Sequence, residues 1–287
     1  MEGTIIDMQP ACSWQLKTRT LNFGARPMLM GIVNVTPDSF SDGGKFYSHQ
    51  TAVEHALRLE DEGADIIDIG GESTRPYSEP VSADEELRRT LPVIESLRNR
   101  TGAILSIDTS KAIVAAAAIE AGAEIVNDVT ALTGDEAMID LVRDSQVGVC
   151  AMHMRGSPQT MQNDPQYADV TEEIIAYLRD RDQVLVHLGI EPDRICLDPG
   201  IGFGKTHEHN WTLVRRCAEF HRLGRPLLVG HSRKGFVRKA VEACGKDIAA
   251  GSVGVALALA LQGIQIIRVH DVAATRSALE TFLRSRS

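Results

Sequence analysis

From Met28 onward, short apolar runs alternate with longer amphipathic ones, and this rhythm constrains the fold more than any single motif does. Two parallel strands cannot be joined by a tight turn; each pair needs a crossover of a dozen or more residues, usually a helix. The strands read as Leu29–Val35, Ile66–Ile69, Ile104–Ile107, Ile125–Asn127, Val147–Met152, Ile195–Leu197, Leu227–Val229 and Ile266–Val269. Helices read as Thr51–Glu62, Ala83–Arg98, Lys111–Ala121, Asp135–Ser145, Val170–Leu188, Glu208–Leu223, Gly251–Leu261 and Ala273–Leu283. That is about eight βα units, the number that closes a barrel. Glycine stops a helix just before several strands, in Gly63-Ala64, Gly122-Ala123, Gly189-Ile190 and Gly263-Ile264. The expectation is an α/β fold, a (β/α)8 TIM barrel over residues 28–287 as one domain. Residues 1–27 precede it, where Ser13-Trp14-Gln15-Leu16 and Thr20-Leu21-Asn22-Phe23 read as a short β-hairpin covering the barrel bottom. An open doubly wound sheet fits less well, because polar residues stand at nearly every strand's C-terminal end and not at one switch point.

Composition limits the classes of function. The 287 residues are 43% hydrophobic and 24% charged, enough for one substantial core. The net charge of −9 and the lack of a basic run argue against nucleic acid as a partner. An anionic substrate stays open, since a local cluster of cations can oppose the global sign. Cys12, Cys150, Cys196, Cys217 and Cys244 form no Cys-x-x-Cys pair, which suggests reduced thiols and a cytoplasmic setting. The start of the chain lacks the pattern of a secretory signal, and Val253–Leu261 is too short to span a bilayer, so no membrane role is expected.

Chemistry collects at the strand ends. Ile195-Cys196-Leu197 breaks into Asp198-Pro199-Gly200-Ile201-Gly202-Phe203-Gly204-Lys205-Thr206. Neither nucleotide motif fits: a P-loop needs glycine where Pro199 stands, and the dinucleotide fingerprint needs glycine at Lys205. Asp198 either caps the following helix or reads a ligand's N–H groups. The other strands end at Asn34, at Asp68 with Glu72-Ser73-Thr74-Arg75-Pro76 beyond, at Asp108, Asn127-Asp128, Met152-His153, His231-Ser232-Arg233-Lys234, and Arg268 with His270. In a barrel all of these converge on one mouth. Asp108, Asn127 and Asp198 suit the edge of a flat heterocycle carrying N–H and amino groups, and Lys234 would donate to a ring carbonyl unless it pairs with a neighbouring acid. Met152 and Phe203 could sandwich the ring or simply fill the core. Arg268, His270 and Asn34 come from strands that adjoin in a closed barrel. Arginine suits phosphate oxygens, and Asn34 could ligate a Mg²⁺ that keeps most of its waters. His270 could equally be a structural imidazole. Two long loops, Thr36–Gly44 and Gly70–Pro80, read as lids over that mouth. His-Glu-x-x-His is absent, and no transition-metal or Ser/His/Asp grouping is evident.

Two long segments resemble the signatures of the dihydropteroate synthase family. They are Met30-Gly31-Ile32-Val33-Asn34-Val35-Thr36-Pro37-Asp38-Ser39-Phe40-Ser41-Asp42-Gly43-Gly44 and Asp68-Ile69-Gly70-Gly71-Glu72-Ser73-Thr74-Arg75-Pro76. Asn127-Asp128, Met152-His153-Met154, Asp198–Lys205, Ser232-Arg233-Lys234 and Arg268-Val269-His270-Asp271 follow in the family's order, and the likeness runs from about Met28 to Leu283. It implies a pterin-binding barrel of folate biosynthesis that joins 6-hydroxymethyl-7,8-dihydropterin diphosphate to 4-aminobenzoate, giving 7,8-dihydropteroate and diphosphate. It implies a cytoplasmic, homodimeric, Mg²⁺-dependent transferase that is a target of sulfonamides.

By that resemblance Asp198 and Asn127 would read the pterin's 2-amino and ring N–H edge, and Lys234 its oxygen and N5. Asp108 would stabilise positive charge as the C9–oxygen bond breaks in an SN1-like loss of diphosphate. Asn34, Arg268 and His270, with Mg²⁺, would hold the diphosphate. The 4-aminobenzoate carboxylate would rest at Ser232, where the helix after strand seven is expected to begin. Thr74, Arg75, Pro76 and Phe40 would close over it. Tyr77 stands where the family often has glycine, which bears on sulfonamide affinity. Nothing before Met28 resembles the pyrophosphokinase domain fused to some relatives. A pterin-dependent methyltransferase barrel would share the acids but handle no diphosphate, and a non-catalytic pterin-binding paralogue would not need the cations. Arg268, His270, Lys234 and both lid segments favour the synthase.

Overall fold

The computed structural model describes residues 9–36, 45–74 and 78–286. A short antiparallel hairpin, β1 (Ser13–Gln15) and β2 (Thr20–Asn22), comes first. Then follow β3 (Met28–Asn34), α1 (Lys45–Asp61), β4 (Ile66–Gly70), α2 (Ala83–Leu97), β5 (Ile104–Asp108), α3 (Ala112–Ala121), β6 (Ile125–Asp128) and α4 (Met138–Ser145). The second half comprises β7 (Gly148–Met152), α5 (Val170–His187), β8 (Ile195–Asp198), α6 (His207–Arg215), β9 (Leu228–Gly230), α7 (Gly235–Val241), α8 (Ile248–Leu261), β10 (Ile266–Val269) and α9 (Val272–Arg284). The parallel strands run in the order β8-β7-β6-β5-β4-β3-β10-β9. Leu197 and Leu227 bridge the two ends, with the Leu197 N–H donating to the Pro226 carbonyl at 2.9 Å. The sheet closes on itself as a (β/α)8 barrel.

Side chains alternate along a strand, so every second residue enters the barrel. Met30, Ile66, Ile104, Ile125, Cys150, Cys196, Leu228 and Ile266 form its lower apolar layer. Their strand neighbours, among them Leu29, Ile67, Leu105, Val126, Val149 and Leu197, face the surrounding helices. The hairpin plugs the bottom: Trp14, Leu16 and Leu21 pack onto that lower layer. Trp14 is wholly buried, and its indole N–H donates to the Arg194 carbonyl at 2.8 Å. Gly148 makes room for this packing, because a Cβ there would collide with Leu16.

Several helices differ from the sequence reading: α1 begins at Lys45 and not at Thr51, and α8 at Ile248 and not at Gly251. The segment expected as one helix over Glu208–Leu223 ends at Arg215 and continues as a 3₁₀ turn, Cys217–Leu223, closed by Gly224 at φ 67°. The segment expected to start a helix at Asp135 does so only at Met138. Asp135 is engaged elsewhere, accepting from the Ala112 N–H that opens α3 at 2.8 Å and from the Ala137 N–H at 3.0 Å. The helix expected to begin at Ser232 begins at Gly235 as α7; its seven residues carry only Phe236 and Val237 as buried anchors, too short a pattern to set its bounds.

Trp14→Ala should cost about 3–5 kcal/mol of unfolding free energy, since it opens a cavity under the barrel. Urea denaturation checks this, and a cost below about 1 kcal/mol would mean the hairpin is not part of the core.

Candidate functional site

Two residues above the apolar layer, the barrel interior turns polar. Asp68, Ser106, Asn127, Asp198 and Arg268 follow Ile66, Ile104, Ile125, Cys196 and Ile266 at a period of two. Asp68 is fully buried and accepts from Ser106 Oγ at 2.6 Å, Asn127 Nδ2 at 3.1 Å and Arg268 Nε at 2.6 Å. The other arm of Arg268 reaches Asp108, with Nη2 to Oδ2 at 2.8 Å. One guanidinium therefore spans two carboxylates across the barrel, the rigid fork that a planar group with five donors allows. Burial opposes its charge, and Asp68 and Asp108 more than offset that opposition. Burial first, then repulsion from Asp68, pushes the Asp108 carboxyl up against the pull of Arg268.

This network fixes what Asn127 can offer. Its amide nitrogen is committed to Asp68, so its carbonyl oxygen is the free end. Asp198 accepts from the Gly200 N–H at 2.7 Å through Oδ1; among the described residues nothing donates to its Oδ2. Asn127 and Asp198 are each 5% exposed, so a ligand can reach them only within the mouth. Burial raises the Asp198 carboxyl to about 6, against the Gly200 N–H and the charges of Lys234, Lys205 and Arg268. Met152 lies beside Asp198 in register.

The turn after β8 is shaped by its glycines. Gly200 has φ 67°, and a Cβ there would run into the His153 carbonyl oxygen. Gly202 has φ 89°, and a Cβ there would lie 2.8 Å from Lys234 Cδ. The turn is thereby pressed onto two lysines, and no other residue type fits its backbone. Lys234 donates to the Ile201 carbonyl and places Nζ 4.4 Å from the centre of the Phe203 ring. Burial lowers this ammonium to about 8, still largely charged at neutral pH.

The rim holds the remaining candidates. The expectation that a helix begins at Ser232 is corrected: α7 starts at Gly235, with Lys234 as its leading residue. Ser232 has another partner, its Oγ lying 3.1 Å from His270 Nδ1 and accepting from the His270 N–H at 3.2 Å. Arg233 and Asp271 form an ion pair that ties the same two loops. Asn34 ends β3 opposite Gly70, and Thr74 is half-buried on the second loop. Phe40, Arg75, Pro76 and Tyr77 lie outside the described residues. Among the described residues no cluster of three or more His, Cys, Asp or Glu could enclose a metal. A single neutral oxygen such as that of Asn34 is compatible with a Mg²⁺ that keeps most of its waters.

Comparison with known proteins bears on this mouth. Residues 30–270 match the family described as pterin binding enzyme. A dihydropteroate synthase of Synechocystis is 45% identical over 254 residues, covering 88% of both chains. A solved Xanthomonas albilineans dihydropteroate synthase with 4-aminobenzoic acid superposes with a TM-score of 0.89 at 43% identity, covering 96% of this chain and 99% of that one. The same enzyme in complex with 7,8-dihydropteroate gives a TM-score of 0.86 at 41% identity, over 96% and 99% of the two chains. The chain belongs to the dihydropteroate synthase family. It is accordingly a transferase of folate biosynthesis. Among the described residues, the first dihydropteroate synthase signature runs up β3, the second up β4, and the glycine turn follows β8.

Two residues emerge that the motifs alone left without a role. Asp68 is the anchor of the polar layer; its signal was an acid in phase with the inward positions of an otherwise apolar strand. Lys205 lies buried beneath the glycine turn, which nothing in its flanking sequence announces.

Gly200→Ala should destabilise the protein by more than about 2 kcal/mol, combining left-handed strain with the collision at His153. Thermal unfolding checks this; an unchanged midpoint would show that the turn can relax.

Proposed function

We propose that the mouth condenses (7,8-dihydropterin-6-yl)methyl diphosphate with 4-aminobenzoate, with its residues dividing the work as follows. Asp198 on β8 and the Asn127 carbonyl on β6, with one strand between them, are two acceptors that would take the ring N–H and 2-amino donors of the pterin. The observation that supports this is the bond from the Asn127 amide nitrogen to Asp68, which turns the Asn127 oxygen away from that acid. Lys234 would donate to the ring oxygen and N5, with Met152 and Phe203 against the ring faces. Asp108, held by Arg268, would stabilise the positive charge that develops as the C9–oxygen bond breaks. Arg268 and His270 would hold the departing diphosphate, together with Asn34 as the protein ligand of Mg²⁺. Bound there, Mg²⁺ would neutralise charge on the leaving group.

The neutral amine of 4-aminobenzoate then attacks, and no activated side-chain nucleophile is required. Ser232 would receive its carboxylate, with Thr74, Arg75, Pro76 and Phe40 closing over it. Sulfonamides would compete at this second position. A second copy of the chain is the expected partner and the cytoplasm the expected setting. Helix α8 supports the dimer: it carries no charged residue, and Leu261 at its end is 53% exposed. Beside it a groove lined by Trp211, Val237, Val241 and Val255 opens on the surface.

The direct test is diphosphate release from the pterin diphosphate with and without 4-aminobenzoate. Release matched by dihydropteroate formation is expected when both substrates are present, and no release under that condition would contradict the proposal. The Asp198 carboxyl adds a pH prediction. Its ionised form is the acceptor, so pterin affinity should be full above about 6 and fall about tenfold per pH unit below it. Calorimetric titration between pH 5 and 8, roughly bracketing that value, checks this; a flat profile would remove Asp198 from the ring edge.

A further inference from the structure

Lys205 is among the largest fully buried side chains of the protein, and it has no carboxylate within ion-pair distance among the described residues. Burial drives this amine well below the usual lysine range while the Asp198 charge pulls the other way, so an ammonium kept here is costly unless something requires it. Its Nζ contacts three groups: His153 Nδ1 at 2.8 Å, the His153 carbonyl at 3.2 Å and the Phe203 carbonyl at 2.9 Å. An ammonium has three N–H donors, and these are three acceptors provided that the imidazole proton is on Nε2. Burial, then the Lys205 charge, drives His153 down to about 2, so the ring is neutral and its Nδ1 lone pair is available. The His153 ring is itself fixed edge-on against Tyr177, with centroids 4.8 Å apart.

The charge lies directly behind the acid of the glycine turn. A Cβ on Gly200 would sit 3.2 Å from Lys205 Nζ, and the Gly200 N–H is the one that donates to Asp198 Oδ1. Phe203, whose carbonyl Lys205 holds, is the residue stacked under Lys234. Tyr167 closes the far side by donating to the Gly204 carbonyl at 2.9 Å. From one buried point Lys205 therefore reaches strand β7 through His153, the turn through Phe203, and Asp198 through space.

We infer that Lys205 is a positioning residue whose buried ammonium sets the Pro199–Gly204 turn and keeps Asp198 ionised towards the ring's N–H edge. This rests on the reading of Asp198 as a pterin acceptor. The titratable and charged groups facing Lys205 are His153, Asp198, Lys234 and His209. Those facing Asp198 are Lys205, Lys234 and Arg268, with the thiols of Cys150 and Cys217 close by. Removing one of three neighbouring cations leaves the Asp198 carboxylate less favoured, and its ionisation moves to higher pH.

The experiment measures bare pterin affinity against pH for the wild type, Lys205→Met, Lys205→Arg and Asp198→Asn. Lys205→Met keeps the apolar stem and is expected to move the midpoint of the pH dependence up by about one unit or more. Its KM for pterin diphosphate should rise while that for 4-aminobenzoate holds. Lys205→Arg restores the charge and should return the midpoint towards the wild-type value. A loss of stability with an unmoved midpoint in Lys205→Met would make the residue purely structural and overturn the inference. Asp198→Asn separates the two readings: if it retains pterin affinity, the ring-edge assignment itself fails. If it loses affinity while Lys205→Met keeps the wild-type profile, only the role of Lys205 fails. Should Lys205→Met not fold, the ¹⁵N shift of the Lys205 side chain in the wild type decides. An ammonium at neutral pH is required, and a neutral amine there overturns the inference.

Discussion

The ion pairs of Arg268 with Asp68 and Asp108 are the constraint on which the rest of the mouth depends. Three charges share the interior of a barrel whose lower half is apolar, and none can lose its partner without leaving a buried charge exposed to low dielectric. Asp68 gains most from this arrangement, since it also orders Ser106 and Asn127. The consequence reaches Asn127: its nitrogen turns to Asp68 and commits one of its two N–H groups there, which sets the orientation of the amide.

The barrel divides its interior by height. The hairpin with Trp14 and Leu16 seals the bottom with apolar contacts, and the same strands carry acids, an amide and an arginine one pleat higher. Rigid support beneath and polar groups above is a sound basis for holding a flat ring, because a site built on strands is more precise than one built on loops. The glycine turn after β8 extends that logic to the rim. Its left-handed residues bring backbone close to Lys205 and Lys234, so that two cations approach Asp198 without either forming a direct ion pair.

Most of the fold was legible because its signal repeats. Eight apolar runs with glycine stops between them give the strands almost to the residue, and the hairpin was visible as two short alternating segments. The bounds of helix α7 were not, since Phe236 and Val237 alone cannot establish a period and the start expected at Ser232 falls at Gly235. The late start of α4 depends on Asp135 serving α3 instead, a tertiary contact that local sequence does not carry. At the site, the convergence of Asp108, Asn127, Asp198 and Arg268 on one mouth followed from strand ends in a barrel. Which atoms pair with which did not: the sequence groups Arg268 with His270 and Asn34, while the structure pairs it with Asp68 and Asp108 and joins His270 to Ser232. Partner choice depends on side-chain reach across the barrel, which linear spacing does not encode.

The most direct measurement is a double-mutant cycle between Asp68 and Arg268, read as bare pterin affinity by calorimetry. Asp68→Asn, Arg268→Gln and the double variant should be strongly non-additive, with a coupling above about 1.5 kcal/mol, because each partner acts through the other. Effects that add to within about 0.5 kcal/mol would contradict the claim that this ion pair organises the mouth.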